Sequence, residues 1–163
     1  MTQRQSCLIA SIDDRYLAFD LEEIRLVIRS VEIIPIPDRP DFLLGVINYK
    51  GTIVPVFNIR HKLHLPAQPL RLDDRIILMD LYLTLIGIPV DNVIDIVSSS
   101  QVAINTAKTD FLRNDHYIKE IIYWNNQTVL FCLASHMFHD EISQTQSLLD
   151  MNKNVEQFFF ASH

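Results

Sequence analysis

Four histidines in two pairs are the first residues whose spacing suggests chemistry. His61 and His64 stand three apart, as do His136 and His139. On a helical turn, positions i and i+3 share a face, so each pair could hold a divalent cation from one side. Two imidazoles are half of a four-coordinate site, and no HExxH glutamate accompanies either pair. Surface or half-buried histidines are the plainer reading. Asp91 and Asp95 are four apart, but the valines and isoleucines around them are strand-like. Alternation along a strand makes the two carboxylates polar rim residues rather than an acid/base couple.

Cys7 and Cys132 form no CxxC pair and lie within apolar runs, which reads as two buried thiols in a reducing cytoplasm. The only glycines are Gly45, Gly51 and Gly87, so there is neither a GxGxxG nor a phosphate loop. No GxSxG elbow is present. The expectation is a protein with no catalytic residue, no metal and no cofactor.

The 163 residues carry a formal net charge of -6, with 48% hydrophobic and 21% charged residues. A chain of this length buries enough apolar surface to fold without disulfides or metal. Its acidity argues against nucleic acid or an anionic membrane as the main partner, since both require a basic face. The polar start, Met1 to Ser6, lacks the apolar core of a signal peptide. No apolar run approaches the length of a membrane span; the richest stretch is interrupted by Asp80, Gly87, Pro89 and Asp91. A cytoplasmic protein without direct membrane insertion is expected.

The apolar runs are short, rich in β-branched residues and separated by turn signals, which predicts about nine or ten strands. Strands are expected at Cys7–Ile12, Tyr16–Leu21, Ile24–Ser30, Val46–Tyr49 and Thr52–Asn58. A second cluster is expected at Arg75–Leu81, Leu83–Val90, Val93–Ser98, Ile118–Trp124 and Thr128–Ala134. Lys50-Gly51 and Asn125-Asn126 read as tight hairpin turns, because glycine and asparagine tolerate a positive φ. Pro35, Pro37 and Pro40 rule out an interior strand between residues 31 and 42, and Pro55 predicts a sheet edge or bulge. Arg60 to Leu65 suggests one helical turn, and Gln101 to Asp115 a loop. Leu148, Leu149, Met151 and Val155 recur near the helical period, with Ser135 or Ser147 as an N-cap. Phe158-Phe159-Phe160 either packs back on the body or forms an exposed apolar patch.

The run Ile36-Pro37-Asp38-Arg39-Pro40-Asp41-Phe42-Leu43-Leu44-Gly45-Val46-Ile47-Asn48-Tyr49-Lys50-Gly51-Thr52-Ile53-Val54-Pro55-Val56 resembles the central signature of CheW-like domains. Downstream, Gly87-Ile88-Pro89-Val90-Asp91-Asn92-Val93 resembles the family's Gly-x-x-Val-Asp-x-Val. The resemblance covers about residues 7 to 140. It implies a mainly β fold of two SH3-like, five-stranded β-barrel subdomains around a shared hydrophobic core. The chain crosses between the barrels, and a short C-terminal helix is added. Residues 1–140 would form the CheW-like domain and 141–163 a helical tail.

The resemblance further implies a non-catalytic chemosensory scaffold. Its expected partners are the regulatory domain of a CheA-type histidine kinase and the cytoplasmic tip of a methyl-accepting chemoreceptor. The alternative is a divergent SH3-like interaction module in a pilus-motility or other non-flagellar signalling system. Ile24, Leu26 and Val27, with Asn48, Lys50 and Gly51, resemble the family's partner-facing positions. Val90, Asp91 and Val93 resemble the receptor-facing groove. Three positions depart from the family pattern: Lys50 replaces an arginine, Asn58 an aspartate, and Leu26 a glutamate. Lysine keeps the charge and loses the planar fork, and leucine exchanges an anion for apolar surface. Together these changes imply a rebuilt interface and a shifted partner preference.

Overall fold

The computed structural model describes residues 6–98, 100, 102–105 and 117–151. The expected loss of chain direction at turn signals is borne out. β1 (Ser6–Ile12) and β2 (Arg15–Asp20) form a hairpin around Asp13-Asp14, and a single 3-10 turn, Leu21–Glu23, leads to β3 (Ile24–Arg29). β4 (Leu43–Tyr49) and β5 (Thr52–Phe57) form the hairpin about Lys50-Gly51, followed by the one-turn helix α1 (Ile59–Lys62). After the polar 66–74 connection come β6 (Arg75–Leu81), β7 (Thr84–Val90) and β8 (Asn92–Ser98). β9 (Ala103–Asn105), β10 (Ile118–Trp124), β11 (Gln127–Cys132), α2 (Ala134–Met137) and α3 (His139–Met151) complete the order.

The strands make two sheets, ordered β8-β1-β2-β11-β10-β9 and β3-β6-β7-β5-β4. The chain crosses between them repeatedly, and β2 is joined to β11 in parallel despite their separation in sequence. Each sheet has five long strands; the first gains the three-residue β9 at its edge. The apolar side chains divide in three. Cys7, Ile9, Ala18, Val97, Ile122, Val129 and Phe131 form a cluster private to the first sheet. Ile47, Val54, Val56, Ile76 and Leu78 form one private to the second. A larger cluster, including Leu8, Leu17, Phe19, Phe57, Ile77, Met79, Ile88, Met137 and Phe138, lies between them. One private cluster per sheet and one shared is the packing of an SH3-like pair around a common core.

Several local expectations are corrected. The 101–115 loop contains β9, which pairs with β10. Leu83 is not the start of a strand: Tyr82 and Leu83 form the turn between β6 and β7, with φ of 51° and 62°. Pro55 lies in an interior strand rather than at an edge or within a bulge. Its ladder partner Val46 turns both backbone groups toward Ile34, at 2.8 and 2.9 Å. The Val46–Pro55 pair is thus a non-hydrogen-bonded one, and the missing proline donor faces β7, where pairing is a single bridge, Val56 to Gly87. Ser135 and Ser147 sit inside α2 and α3, not at N-caps. α2 instead receives Glu23, whose Oε2 accepts the Ser135 N–H at 3.1 Å. Val155 and Phe158 to Phe160 lie outside the described residues.

Candidate partner-binding site

The hairpin apex is built by a two-residue turn in which Lys50 (φ 48°) and Gly51 (φ 85°) both take the left-handed conformation. That pair of φ values matches the right-handed twist of the flanking strands. Asn48 is not free for a partner's use: its Oδ1 accepts the Gly51 N–H at 2.9 Å and closes the turn. Lys50 Nζ lies 5.5 Å from the Tyr49 ring centroid, a cation–π distance. Tyr49 packs on the private cluster of its sheet, so the ammonium is held over a fixed platform. Gly51 has open space where a side chain would stand.

Ile24, Leu26 and Val27 lie on β3, the terminal strand of its sheet. They do not form one surface. A bulge makes Arg25 the extra residue, so Ile24 and Val27 turn toward the shared cluster while Leu26 packs on the private one. Arg25 points to Asp80 on the neighbouring strand, at 2.8 Å. All three apolar residues are half-buried.

Val90, Asp91 and Val93 close the link from β7 to β8. Val90 is core, with 2% of its surface exposed, so it shapes the surface without offering itself to a partner. Val93 is half-buried against the shared cluster. Asp91 is the anchor of a charged network that reading the sequence missed. Arg60 Nη1 and Nη2 each reach one oxygen of Asp13 at 3.0 Å, and Nη2 also reaches Asp91 Oδ1 at 3.0 Å. Asp91 Oδ2 accepts the Asp13 N–H at 2.7 Å. Arg71 approaches Asp91 at 3.6 Å and Asp74 at 3.5 Å. The Arg60 guanidinium holds the Asp13 carboxyl below the usual carboxylate range, chiefly through the hydrogen bond. The two carboxylates in turn raise Arg60. Asp13-Asp14 was legible only as a turn, and nothing local in Asn58-Ile59-Arg60 signals a partner at that distance along the chain.

Beside this network opens a cleft of about 590 Å³, walled by Ser30, Val31, Leu44, Leu72, Pro89 and Val90, with Arg60 and Asp91 among its polar lining. β8 is the terminal strand of the other sheet, and it leaves Ile94 and Ile96 exposed at 42% and 55%. Ile96 pairs with Leu8, so it extends the shared-core face out to solvent. Apolar strand edges and an apolar cleft of this kind suit a protein partner.

The remaining candidates do not converge. Among the described residues, no three His, Cys, Asp or Glu side chains come together as a metal site would require. His61, His64, His136 and His139 are exposed. Burial pushes the Cys7 thiol up to about 11 and the Cys132 thiol to about 12, which leaves both as unreactive thiols. Among the described residues, no helix is long and apolar enough to cross a membrane.

The model of the CheW-like domain matches residues 6–141. The chain belongs to the CheW-like domain family. A chemotaxis protein CheW of Thermotoga maritima is 46% identical over 48 residues, a stretch covering 29% of this chain and 32% of that protein. A chemotaxis protein CheW of Bacillus subtilis is 21% identical over 142 residues, 86% of this chain and 91% of the relative. In three dimensions the CheW-like domain resembles the scaffolding protein TtCheW of Thermoanaerobacter tengcongensis. The TM-score is 0.70 at 20% identity, over 83% of this chain and 93% of that one. These findings place the chain among the CheW-like adaptors of chemotaxis. Its three departures fall at distinct places: Lys50 at the exposed hairpin apex, Leu26 on the β3 edge, and Asn58 at the start of α1 beside the Arg60 network.

Proposed function

We propose that this CheW-like domain is a non-catalytic cytoplasmic scaffold that couples chemoreceptors to a CheA-type histidine kinase. The observation that carries the reading is the family match over residues 6–141, which contains both partner-facing segments. In this reading residues 1–140 supply the contacts and 141–163 the C-terminal tail. The kinase's regulatory domain meets Ile24, Leu26 and Val27 on the β3 edge and Asn48, Lys50 and Gly51 at the hairpin. The receptor tip meets the surface shaped by Val90, Asp91 and Val93. The roles within these sets differ. Lys50 offers an exposed cation over the Tyr49 ring, Asn48 and Gly51 hold the turn that presents it, and Val90 and Asp91 support a surface whose exposed side chains are Ile94 and Ile96. A scaffold of this kind relays a signal by fixing the geometry of its partners, and a few central residues dominate such interfaces.

The test is calorimetric titration of the full chain with the regulatory domain of the CheA-type kinase from the same cell, using Lys50→Ala and Leu26→Glu as comparisons. Binding of about micromolar Kd or tighter is expected, weakened by Lys50→Ala, which leaves the fold untouched. Leu26→Glu is read only beside its circular dichroism, because Leu26 also packs on a buried cluster. Absence of binding by folded wild-type protein would remove the kinase from the proposal.

A further inference from the structure

Arg29 ends β3 and Arg75 opens β6, and the two are direct partners in the antiparallel ladder. Residues in this relation point to the same face with Cβ atoms about 4.5–5.5 Å apart, and like charges there are destabilising. The chain has acids to spare, at a net charge of -6, and it pairs four of its other cations with them. Arg25 has Asp80, Arg60 has Asp13 and Asp91, Arg71 has Asp74 and Asp91, and Lys62 has Glu141. Arg29 is exposed and has no hydrogen-bond or ion-pair partner among the described residues.

Arg75 is held in place without being neutralised. Its Nη1 donates to the backbone carbonyls of Asp73 and Asp74, at 3.0 and 3.2 Å. Its Nη2 and Nε have no hydrogen-bond partner among the described residues. The pair stands close to the cleft: Ser30 and Asp74, next to it in the chain, line the cleft, and so does Val90, the ladder partner of Arg75. Two unneutralised guanidiniums on an acidic protein, next to an apolar cleft, complement a ligand that presents one carboxylate among apolar side chains. A polyanion would be repelled by the rest of the surface.

We propose that Arg29 and Arg75 form a clamp for a carboxylate side chain on the chemoreceptor tip, and so help set which receptor this protein accepts. The inference rests on the scaffold reading above, and on its assignment of the Val90–Val93 surface to the receptor. An arginine pair offers forked donors matched to a carboxylate.

The test titrates the full chain with a receptor cytoplasmic-tip fragment from the same cell and, separately, with the kinase regulatory domain. Arg29→Glu, Arg75→Glu, the double reversal and the double Lys variant are compared with wild type. The double reversal should weaken receptor binding about tenfold or more. The double Lys variant should retain most of it, and kinase binding should be unchanged. Wild-type receptor binding should fall with added salt more steeply than that of the double reversal. Folding is a separate readout: Arg29→Glu converts a repulsive cross-strand pair into an attractive one, so its Tm should equal or exceed that of wild type. Receptor binding that is unaltered in the reversed variants would overturn the clamp and leave the scaffold reading intact. Loss of kinase binding instead would overturn its assignment to the receptor. Wild-type protein that binds neither partner would overturn both.

Discussion

Arg60 grips Asp13 through both terminal nitrogens, each at 3.0 Å, across 47 residues of sequence. Asp13 sits on the β1–β2 turn of the six-stranded sheet, and Arg60 on the helix that follows β5 of the other. The pair is therefore a polar strut between the two sheets, beside the Asp91 N–H bond to the Ser11 carbonyl at 3.0 Å. Its strength comes from its forked geometry and from burial, since the Arg60 side chain is only 12% exposed. Arg60→Ala would leave Asp91, itself 17% exposed, without its main cation. A loss of about 2–3 kcal/mol is expected, read as a lower urea midpoint at unchanged slope. Arg60→Lys should recover only part, having no fork. A wild-type midpoint for Arg60→Ala would mean that the strut carries no net stability.

The acid limb of the stability curve follows from the same contact. A carboxyl held below its ordinary value contributes stability that is present above the unfolded pKa, near 4, and is lost as pH falls through the depressed folded value. Asp13 is such a group. Glu23 is the opposite case: burial raises it, against the opposing Ser135 N–H bond. Its contribution is present below the unfolded value and disappears as pH rises through the raised folded one. Glu23→Gln keeps an oxygen for Ser135 and removes the buried charge. It should therefore raise Tm relative to wild type at pH 7, with the gain shrinking toward pH 4. A gain that grows on acidification would contradict this assignment.

The two glycines of the central hairpin separate cleanly. Gly45 has φ 149°, and a Cβ there would stand 2.3 Å from the Ile34 carbonyl oxygen and 2.9 Å from Ile33 Cγ2. The oxygen belongs to the bridge that ties Ile34 to Val46 and cannot withdraw without breaking it. Gly51 has φ 85° and nothing within 4 Å. Gly51→Ala should cost about 1–2 kcal/mol, the left-handed penalty alone. Gly45→Ala should cost more than about 3 kcal/mol, or abolish soluble folded protein. Thermal scans of the two variants decide it, and equal losses would count against the close approach at Gly45.

What could be read from the sequence follows from where each feature is determined. Lys50-Gly51 and Asn125-Asn126 were legible as turns because glycine and asparagine accept a positive φ locally, and all four residues adopt one. β1, β2, β3, β5, β6, β7 and β8 were placed nearly to the residue because their side-chain alternation faces apolar clusters, whereas β4 begins three residues before the expected Val46, at Leu43. β9 was not legible: three residues acquire strand form only by pairing with β10. Pro55 misled because its tolerance depends on where Val46 sends its hydrogen bonds. The Arg60 network was illegible for the same reason, as both aspartates are brought in by the crossing of the chain between sheets. That crossing was expected only from the family resemblance.

Tyr82 and Leu83 are a turn that no residue preference foretells, with β-strand neighbours Leu81 and Thr84 paired across it. Tyr82 has compensation: its hydroxyl donates to the Ser135 carbonyl at 3.0 Å, and its ring meets His139 edge-on at 5.3 Å. Leu83 has none, being fully exposed at φ 62°. A branched side chain in the left-handed region is disfavoured by roughly 1–2 kcal/mol. Leu83→Gly should therefore raise Tm by about 2–4 °C per kcal/mol relieved, whereas Tyr82→Gly should lower it, because it also undocks α2 and α3 from the hairpin. If Leu83→Gly lowers Tm instead, the leucine has packing in solution that its exposure denies. If it raises Tm while weakening kinase or receptor binding, the strain at Leu83 is retained for contact with a partner.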